Sequence, residues 1–216
     1  YAIEEKKITV AYNGVGDDFK RSNQLVINDF KSKYNIKHNY FLSVGSIHAR
    51  KNINRLLLAF DIFKKNNKND FQLMLVGNKY NWTGQMKTTL EKMKFKNDVV
   101  FTGHLSKQEL IHAYSGASAL IFPSYFEGFG IPLVEAMKCE CPIICANTTS
   151  FPEVAGDAAI YFDPFNENEI AAKMQELCLN EELSHHLIAK GRLRCKLFDW
   201  DDSAKIIWMV IEKTFN

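Results

Sequence analysis

The stretch that decides the fold spans residues 122–137 and reads F-P-S-Y-F-E-G-F-G-I-P-L-V-E-A-M. It follows an apolar run at residues 118–122, which predicts a buried strand that leaves the sheet at Pro123. A helix is predicted to begin at about Ile131, with Pro132 in its first turn, where the missing N–H has no helical partner. The sequence therefore predicts a glycine-containing loop leading into a helix N-terminus, whose free N–H groups and dipole favour an anion.

Two carboxylates flank this predicted anion site. Glu127 lies in the loop, and Glu135 lies one turn into the helix, on the face that carries Ile131 and Lys138. A carboxylate can accept two hydrogen bonds side by side, so it suits a vicinal diol such as a ribose. The alternative is that both are ordinary solvated residues, as most glutamates are. Their place at the carboxyl end of a strand favours a ligand site, because open α/β sheets bind ligands there.

Outside this stretch, apolar runs alternate with helical patterns. The runs predict strands at residues 40–44, 71–76, 99–102, 118–122, 142–146 and 158–162. Apolar residues at helical spacing lie between them, and strand–helix repeats of this length form right-handed βαβ units. We therefore predict an α/β fold: a Rossmann-like three-layer domain with a six-stranded, mainly parallel sheet.

Polar residues mark the predicted helix starts. Ser106 and Glu109 have the spacing of a capping box. Asn52 is predicted to cap the helix after the first strand, and residues 82–95 are predicted to form the helix after the second. The last helix is predicted over residues 199–215.

Length and charge limit the class of protein. The chain of 216 residues is long enough for one substantial core, and it has no apolar run of about 18 residues or more that would span a bilayer. Residues 1–100 hold 18 Lys and Arg against 9 Asp and Glu. No basic run alternates with aromatic residues as in a base-stacking groove, so we predict no nucleic-acid partner. The start Tyr-Ala-Ile-Glu, without Met or an apolar leader, predicts that the chain is cut from a longer protein.

The five cysteines fit a reducing compartment, because their number is odd and no signal peptide precedes them. Cys141 and Cys145 flank the apolar segment P-I-I, and no histidine stands near Cys139 at a spacing that suits zinc. We predict buried thiols and no metal site. The expected location is the cytoplasm, with peripheral association at the inner membrane face left open.

Three motifs together resemble a known family. E-G-F-G-I-P-L-V-E-A-M, in which seven residues separate Glu127 from Glu135, resembles the signature of the retaining glycosyltransferase family 4, whose members have the GT-B architecture. V-G-S-I-H-A-R-K-N at residues 44–52 and S-F-P-E-V-A-G-D-A-A-I-Y-F-D-P at residues 150–164 extend the resemblance over residues 8–203. The chain resembles the C-terminal, donor-binding domain of such an enzyme, one half of a GT-B protein.

The resemblance implies roles for residues in the loops at the strand ends. Arg50 and Lys51 match a pair associated with the donor's phosphates, which the amides of residues 128–131 would also bind. Glu135 would hold the ribose, and Glu127 would be catalytic by contacting the transferred sugar. Many members carry an arginine directly after the first glycine, where this chain has Ser46. The other residues expected at the donor are Gly45, Gly77, Gly103, His104, Leu105, Gly128, Phe129, Gly130, Ile131 and Leu133.

The implied activity is retaining transfer of a hexosyl group from a nucleotide-diphosphate sugar, with no metal or other cofactor. The acceptor, a glycan, a lipid-linked sugar or a small molecule, would be held by an N-terminal domain of the same polypeptide. We expect residues 1–19 to form a hinge with a strand at residues 7–12, residues 20–198 to bind the donor, and residues 199–216 to pack toward the N-terminal domain. The isolated chain is expected to bind nucleotide and to transfer nothing.

Other classes of nucleotide-binding protein have different sequence signals. A dehydrogenase-type dinucleotide domain needs G-x-G-x-x-G, but Ser46 and Ile47 follow Gly45, and Leu133 stands where Gly128-x-Gly130 would need a third glycine. A Walker-type phosphate loop is absent. A non-catalytic nucleotide-binding or scaffold module of the same fold stays open, because a fold does not establish an activity. The nucleotide base, the sugar and the acceptor stay open too.

Overall fold

Six parallel strands form the centre of the structure, a computed structural model that describes residues 3–66 and 70–215. The strands are β1 (Asn39–Val44), β2 (Phe71–Val76), β3 (Val99–Gly103), β4 (Ala119–Phe122), β5 (Ile143–Ala146) and β6 (Ala159–Phe162). Their order across the sheet is β3-β2-β1-β4-β5-β6, and every neighbouring pair is parallel. The predicted six-stranded α/β sheet is confirmed, and each strand end lies within one residue of its predicted position.

The central strands read as uninterrupted apolar runs because both of their faces are covered. Every residue of β2, β4 and β5 is buried, whereas the residues of the edge strand β3 are partly exposed. Alternation of polar and apolar residues is expected only where one face of a sheet meets water. Because helices cover both faces, these strands are predicted from continuous apolar runs and not from alternating polar and apolar residues.

Helices cover the two faces of the sheet. They are α1 (Gln24–Lys33), α2 (Ile53–Asn66), α3 (Gly84–Lys92), α4 (Lys107–Gly116), α5 (Ile131–Lys138), α6 (Phe151–Ala155), α7 (Glu167–Leu179), α8 (Glu181–Arg194) and α9 (Trp200–Phe215). One layer contains α2 with α3 and α7, and the other contains α5 with α4 and α8. The predicted capping box at the start of α4 is confirmed, since Ser106 and Glu109 exchange both hydrogen bonds.

Two local predictions were wrong in extent. Helix α3 begins only after Thr83, whose side chain accepts the Met86 N–H, and it ends at Lys92 because Met93 is extended. Residues 8–12 pair with no strand of the described sheet; they follow a 3₁₀ turn at Glu5–Lys7.

Part of the segment expected to be a hinge packs with the domain, because Val15 and Phe19 are buried in its core. The predicted hinge also includes residues 1 and 2, and the predicted final segment includes residue 216, which lie outside the described residues.

The predicted cap at Asn52 was wrong. Asn52 ends the 3₁₀ turn Ala49–Lys51 in the left-handed region, with φ 56°, which asparagine tolerates better than most residues. Its buried amide donates to the carbonyl of Pro123 at 3.1 Å and to that of Pro164 at 2.7 Å. The side chain therefore ties the turn after β1 to the loops after β4 and β6 instead of capping α2.

We predict that Asn52→Ala lowers the free energy of unfolding by about 2–4 kcal/mol. The substitution removes two buried hydrogen bonds, and alanine tolerates the left-handed backbone conformation less well than asparagine does. Urea denaturation measures the change. Asn35→Ala is the matched control, since Asn35 is exposed and has φ 55°; it should cost about 1 kcal/mol. Equal losses for the two variants would contradict the role given to the Asn52 amide.

Candidate functional site at the carboxyl edge of the sheet

Three loops predicted to face a ligand lie against one another at the carboxyl ends of β1, β2 and β3. The Gly77 N–H donates to the Gly103 carbonyl at 2.9 Å, and the Gly45 N–H donates to the Val76 carbonyl at 2.9 Å. A Cβ on Gly77 would lie 2.0 Å from the Gly45 carbonyl oxygen, so this approach requires glycine. The loops form one continuous rim.

Arg50, Lys51 and Glu127 form a charged cluster on this edge. Arg50 Nη1 and Lys51 Nζ each lie 2.6 Å from the same oxygen, Oε1 of Glu127. The side chains of Lys51 and Glu127 are only 10% and 13% exposed, and Lys51 Nζ lies 4.7 Å from the centre of the Phe122 ring. An ammonium group so poorly hydrated needs a nearby anion, which Glu127 provides.

One main-chain bond and one side-chain bond to a carbonyl join the two loops that carry these charges. The Arg50 carbonyl accepts the Tyr125 N–H at 2.9 Å, and Arg50 Nη1 donates to the Phe126 carbonyl at 3.2 Å. The turn after β1 and the loop after β4 are therefore held together by their backbones as well as by the ion pairs.

Glu127 is held as a carboxylate. Burial acts to raise its pKa, but the hydrogen bonds and charges of Arg50 and Lys51 outweigh burial, so the pKa lies below its ordinary value. Its N–H donates to Thr149 Oγ1 at 3.4 Å, and its carbonyl accepts Ser150 Oγ at 3.2 Å. The loop after β5 thus supports the residue predicted to be catalytic.

The N-terminus of α5 has no side-chain cap. Its N-cap, Gly130, has φ 104°, and no side chain accepts a hydrogen bond from the first turn. Side-chain oxygens cap α1, α3, α4, α7 and α8. Within residues 3–66 and 70–215 the N–H groups of Gly128, Phe129 and Gly130 have no acceptor, and a Cβ on Gly128 would meet no atom within 4 Å. These amides are free to bind an anion.

Glu135 lies beyond the first turn of α5 and is half-buried. Its Oε2 accepts the hydroxyl of Tyr114, a fully buried residue of α4, at 2.8 Å. Burial raises the pKa of Glu135, and the hydrogen bond from Tyr114 opposes this rise in part. With specific partners for both Glu127 and Glu135, the alternative of two ordinary solvated residues does not hold.

Some residues predicted at the site point their side chains elsewhere. Leu105 and Leu133 are buried in the core, and the Phe129 ring packs on Tyr12 and Phe198 at 6.1 Å and 5.7 Å between ring centroids. The Leu133 N–H already donates to the Gly130 carbonyl. Ser46 and His104 are exposed on the rim, and Ile131 is half-buried at the start of α5.

Sequence analysis missed several supporting residues. Asn52, predicted only as a helix cap, bonds to the carbonyls of Pro123 and Pro164 in two other loops. Tyr114 bonds to Glu135, although its sequence context is that of any core residue of an amphipathic helix. Thr149 has φ 50°, a conformation that is rare for a β-branched residue and has no sequence signal here. Unusual backbone conformations of this kind cluster at functional sites.

The predicted buried thiols are confirmed. Cys139, Cys141 and Cys145 are buried and free, and burial raises the pKa of the Cys139 thiol to about 12.

Among the described residues no group of three or more His, Cys, Asp or Glu side chains could hold a metal ion. In the same part of the chain, no helix combines the length and the apolar character needed to cross a membrane.

Comparison with known proteins gives a family match over most of the chain. Residues 26–194 match the model of the family described as Glycosyl transferases group 1. O-antigen chain mannosyltransferase B of Escherichia coli is 31% identical over 164 residues, which are 76% of this chain and 43% of that protein. The matched part of this chain therefore spans less than half the length of that relative.

Solved structures share the fold. Alr3699/HepE of Anabaena, crystallised with UDP and glucose, matches with a TM-score of 0.84 at 16% identity, over 100% of this chain and 58% of that one. The C-terminal domain of LpcC, a group 1 protein of Francisella tularensis, matches with a TM-score of 0.71 at 19% identity, over 82% of this chain and 94% of that domain. The predicted fold of a GT-B glycosyltransferase domain is confirmed, and a unit of similar extent has been crystallised alone.

We predict that Glu127→Gln lowers the free energy of unfolding by about 1–3 kcal/mol near pH 7, because Lys51 loses the carboxylate that compensates its burial. A lowered pKa stabilises the fold above the unfolded-state pKa of about 4.3, and this contribution disappears as the pH falls through the folded-state value. The difference between the two proteins should therefore shrink below about pH 4.

The measurement is urea denaturation of both proteins across this pH range. Glu176→Gln is the control, since Glu176 pairs with Lys173 on the surface of α7, and it should change stability by no more than about 0.5 kcal/mol. A Glu127→Gln effect that stays constant with pH would contradict the ion-pair assignment.

Proposed function

The chain belongs to the group 1 glycosyl transferases, and from this membership and the site geometry we propose that it is the donor-binding domain of a retaining hexosyltransferase. The donor is a nucleotide-diphosphate sugar. The observation that carries the proposal is that two cations and an uncapped helix N-terminus meet beside Glu127 at the carboxyl edge of a parallel sheet. Mannose is the first sugar to test, because the E. coli relative is named a mannosyltransferase.

The diphosphate binds at the N-terminus of α5. The N–H groups of Gly128, Phe129 and Gly130 donate to phosphate oxygens, and Arg50 and Lys51 supply charge-assisted hydrogen bonds. In the ligand-free chain the single carboxylate of Glu127 pairs with both cations, so the cluster keeps an excess positive charge. A diphosphate carries more charge and more acceptor oxygens than one carboxylate, so it replaces Glu127 as their partner.

Release of Glu127 gives it a role at the sugar. Its carboxylate then accepts hydrogen bonds from the hydroxyls of the transferred hexose and helps to place the anomeric carbon. When the bond from that carbon to the diphosphate breaks, the leaving oxygen keeps the electron pair. Arg50, Lys51 and the dipole of α5 offset the resulting charge, and no divalent ion or other cofactor is required of this chain.

Glu135 binds the ribose of the donor. One of its oxygens already accepts the Tyr114 hydroxyl, and the other has no protein partner in the described part of the chain. The rim at Gly77 and Gly103, with exposed His104, borders the nucleotide base. The base itself is not specified by these residues, because the rim offers mainly backbone groups.

The acceptor belongs to a part of the enzyme outside this chain. Helix α9 exposes Ile207, Trp208, Met209, Val210 and Ile211, and Ser203 is its only buried residue within the described range. An exposed run of apolar residues of this length on a helix is normally covered by protein. The relatives are about twice as long as this chain, so we assign this face to the N-terminal domain of the same polypeptide, which holds the acceptor.

We predict that a titration panel of UDP, GDP, ADP and their hexose conjugates gives one preferred nucleotide, whose affinity Lys51→Ala lowers about 10- to 100-fold. Calorimetry measures the affinities, and thermal denaturation checks that the variant folds. Affinity for the matching nucleoside should be unchanged, since it carries no phosphate.

Lys173→Ala on α7 is the matched control, because Lys173 pairs only with Glu176 on the surface. Failure of every nucleotide to bind the folded chain would contradict the proposed function. Binding of a nucleotide sugar without transfer by the full-length protein would favour the non-catalytic module.

A further inference from the structure

Tyr114 is the protein donor that holds the side chain of Glu135. It is fully buried in α4, and its hydroxyl lies 2.8 Å from Glu135 Oε2. Within the described residues no other side chain bonds to this carboxylate. A buried tyrosine hydroxyl needs an acceptor, so neither partner can turn away without leaving a polar atom unsatisfied.

The position of Tyr114 is itself rigid. The preceding residue, Ala113, accepts the hydroxyl of the fully buried Tyr40 through its carbonyl at 2.7 Å. A Cβ on Gly116 would lie 2.8 Å from the same Tyr40 hydroxyl, so α4 packs closely on β1. The donor that holds Glu135 is therefore fixed by the core of the domain rather than by a surface loop.

We propose that Tyr114 is a positioning residue for the ribose: by holding Oε2 of Glu135, it directs the other carboxylate oxygen toward the ribose hydroxyls and sets the preference for ribonucleotides over deoxyribonucleotides. This inference rests on the proposed function, in which Glu135 binds the ribose. A carboxylate fixed before the ligand arrives loses less conformational entropy on binding than a free one, and this difference appears as affinity.

The test compares two probes on each protein by calorimetry. The probes are UDP, GDP or ADP, whichever the unsubstituted chain binds most tightly, and its 2′,3′-dideoxy analogue. The unsubstituted chain should bind the ribonucleotide about tenfold or more tightly than the analogue. Tyr114→Phe should lose about 5- to 20-fold in affinity for the ribonucleotide, while its affinity for the analogue stays within about twofold.

Tyr40→Phe is the matched control. It removes an equally buried tyrosine hydroxyl that bonds to α4 but does not touch Glu135. It should lower the melting temperature and leave the ratio of the two affinities unchanged. If Tyr40→Phe lowers the ratio as much as Tyr114→Phe does, the effect comes from general loosening of α4 and the inference is overturned.

A second variant tests whether Tyr114 acts through Glu135. In a Glu135→Ala background, which removes the acceptor of the Tyr114 hydroxyl, adding Tyr114→Phe should lower ribonucleotide affinity by less than about twofold, because the coupled pair is already broken. A crystal structure of the unsubstituted chain with the nucleotide gives the same test without a variant. The Tyr114 hydroxyl should remain on Oε2 while the ribose occupies Oε1; a Glu135 that leaves Tyr114 on binding overturns the inference.

The outcomes separate this inference from the proposed function. If the unsubstituted chain binds the ribonucleotide and its analogue equally, Glu135 does not bind the ribose. That result contradicts both the role of Glu135 in the proposed function and the positioning role of Tyr114. If the unsubstituted chain discriminates and folded Tyr114→Phe discriminates equally well, only the role of Tyr114 fails.

Discussion

The burial of Lys51 beside Glu127 is the constraint on which the rest of the site depends. An ammonium group with little access to water must have an anion nearby, and here Arg50 shares that same anion. The surrounding structure holds the three groups together: Asn52 joins the turn after β1 to two other loops, and the loop after β5 supports the backbone of Glu127. The site is therefore assembled before any ligand arrives, with one carboxylate shared by two cations and an excess positive charge left for an anion.

The ion pairs that stabilise the ligand-free domain involve the same residues that are proposed to bind the donor. A carboxylate on a loop is a partner that the cations can exchange, whereas the amides at the N-terminus of α5 are permanent features of the fold. A diphosphate that takes the cations also uses the amides, which no side chain caps. Glu127 is then freed at the place where the donor's sugar would lie. In the proposed function, binding of the donor therefore also releases the Glu127 carboxylate from its two cations.

The sequence predicted the strands, the capping box and the charged residues at the strand ends, because each has a local pattern: an apolar run, a fixed spacing, or a polar residue after a buried segment. It did not predict the bonds from Asn52 to Pro123 and Pro164 or the bond from Tyr114 to Glu135. These bonds join residues far apart in the chain, so the local sequence around either partner does not predict them. The strand expected at residues 7–12 is absent, and a strand also depends on a pairing partner, which local sequence does not specify.

The most direct test of the central claim is a two-dimensional amide NMR titration of the isotopically labelled chain with its preferred nucleoside diphosphate. The account predicts that the amides of Gly128, Phe129, Gly130 and Ile131 shift downfield together, with the same dissociation constant as signals from Arg50 and Lys51. Saturating nucleotide that leaves these amides unmoved, while shifting residues elsewhere, would contradict it.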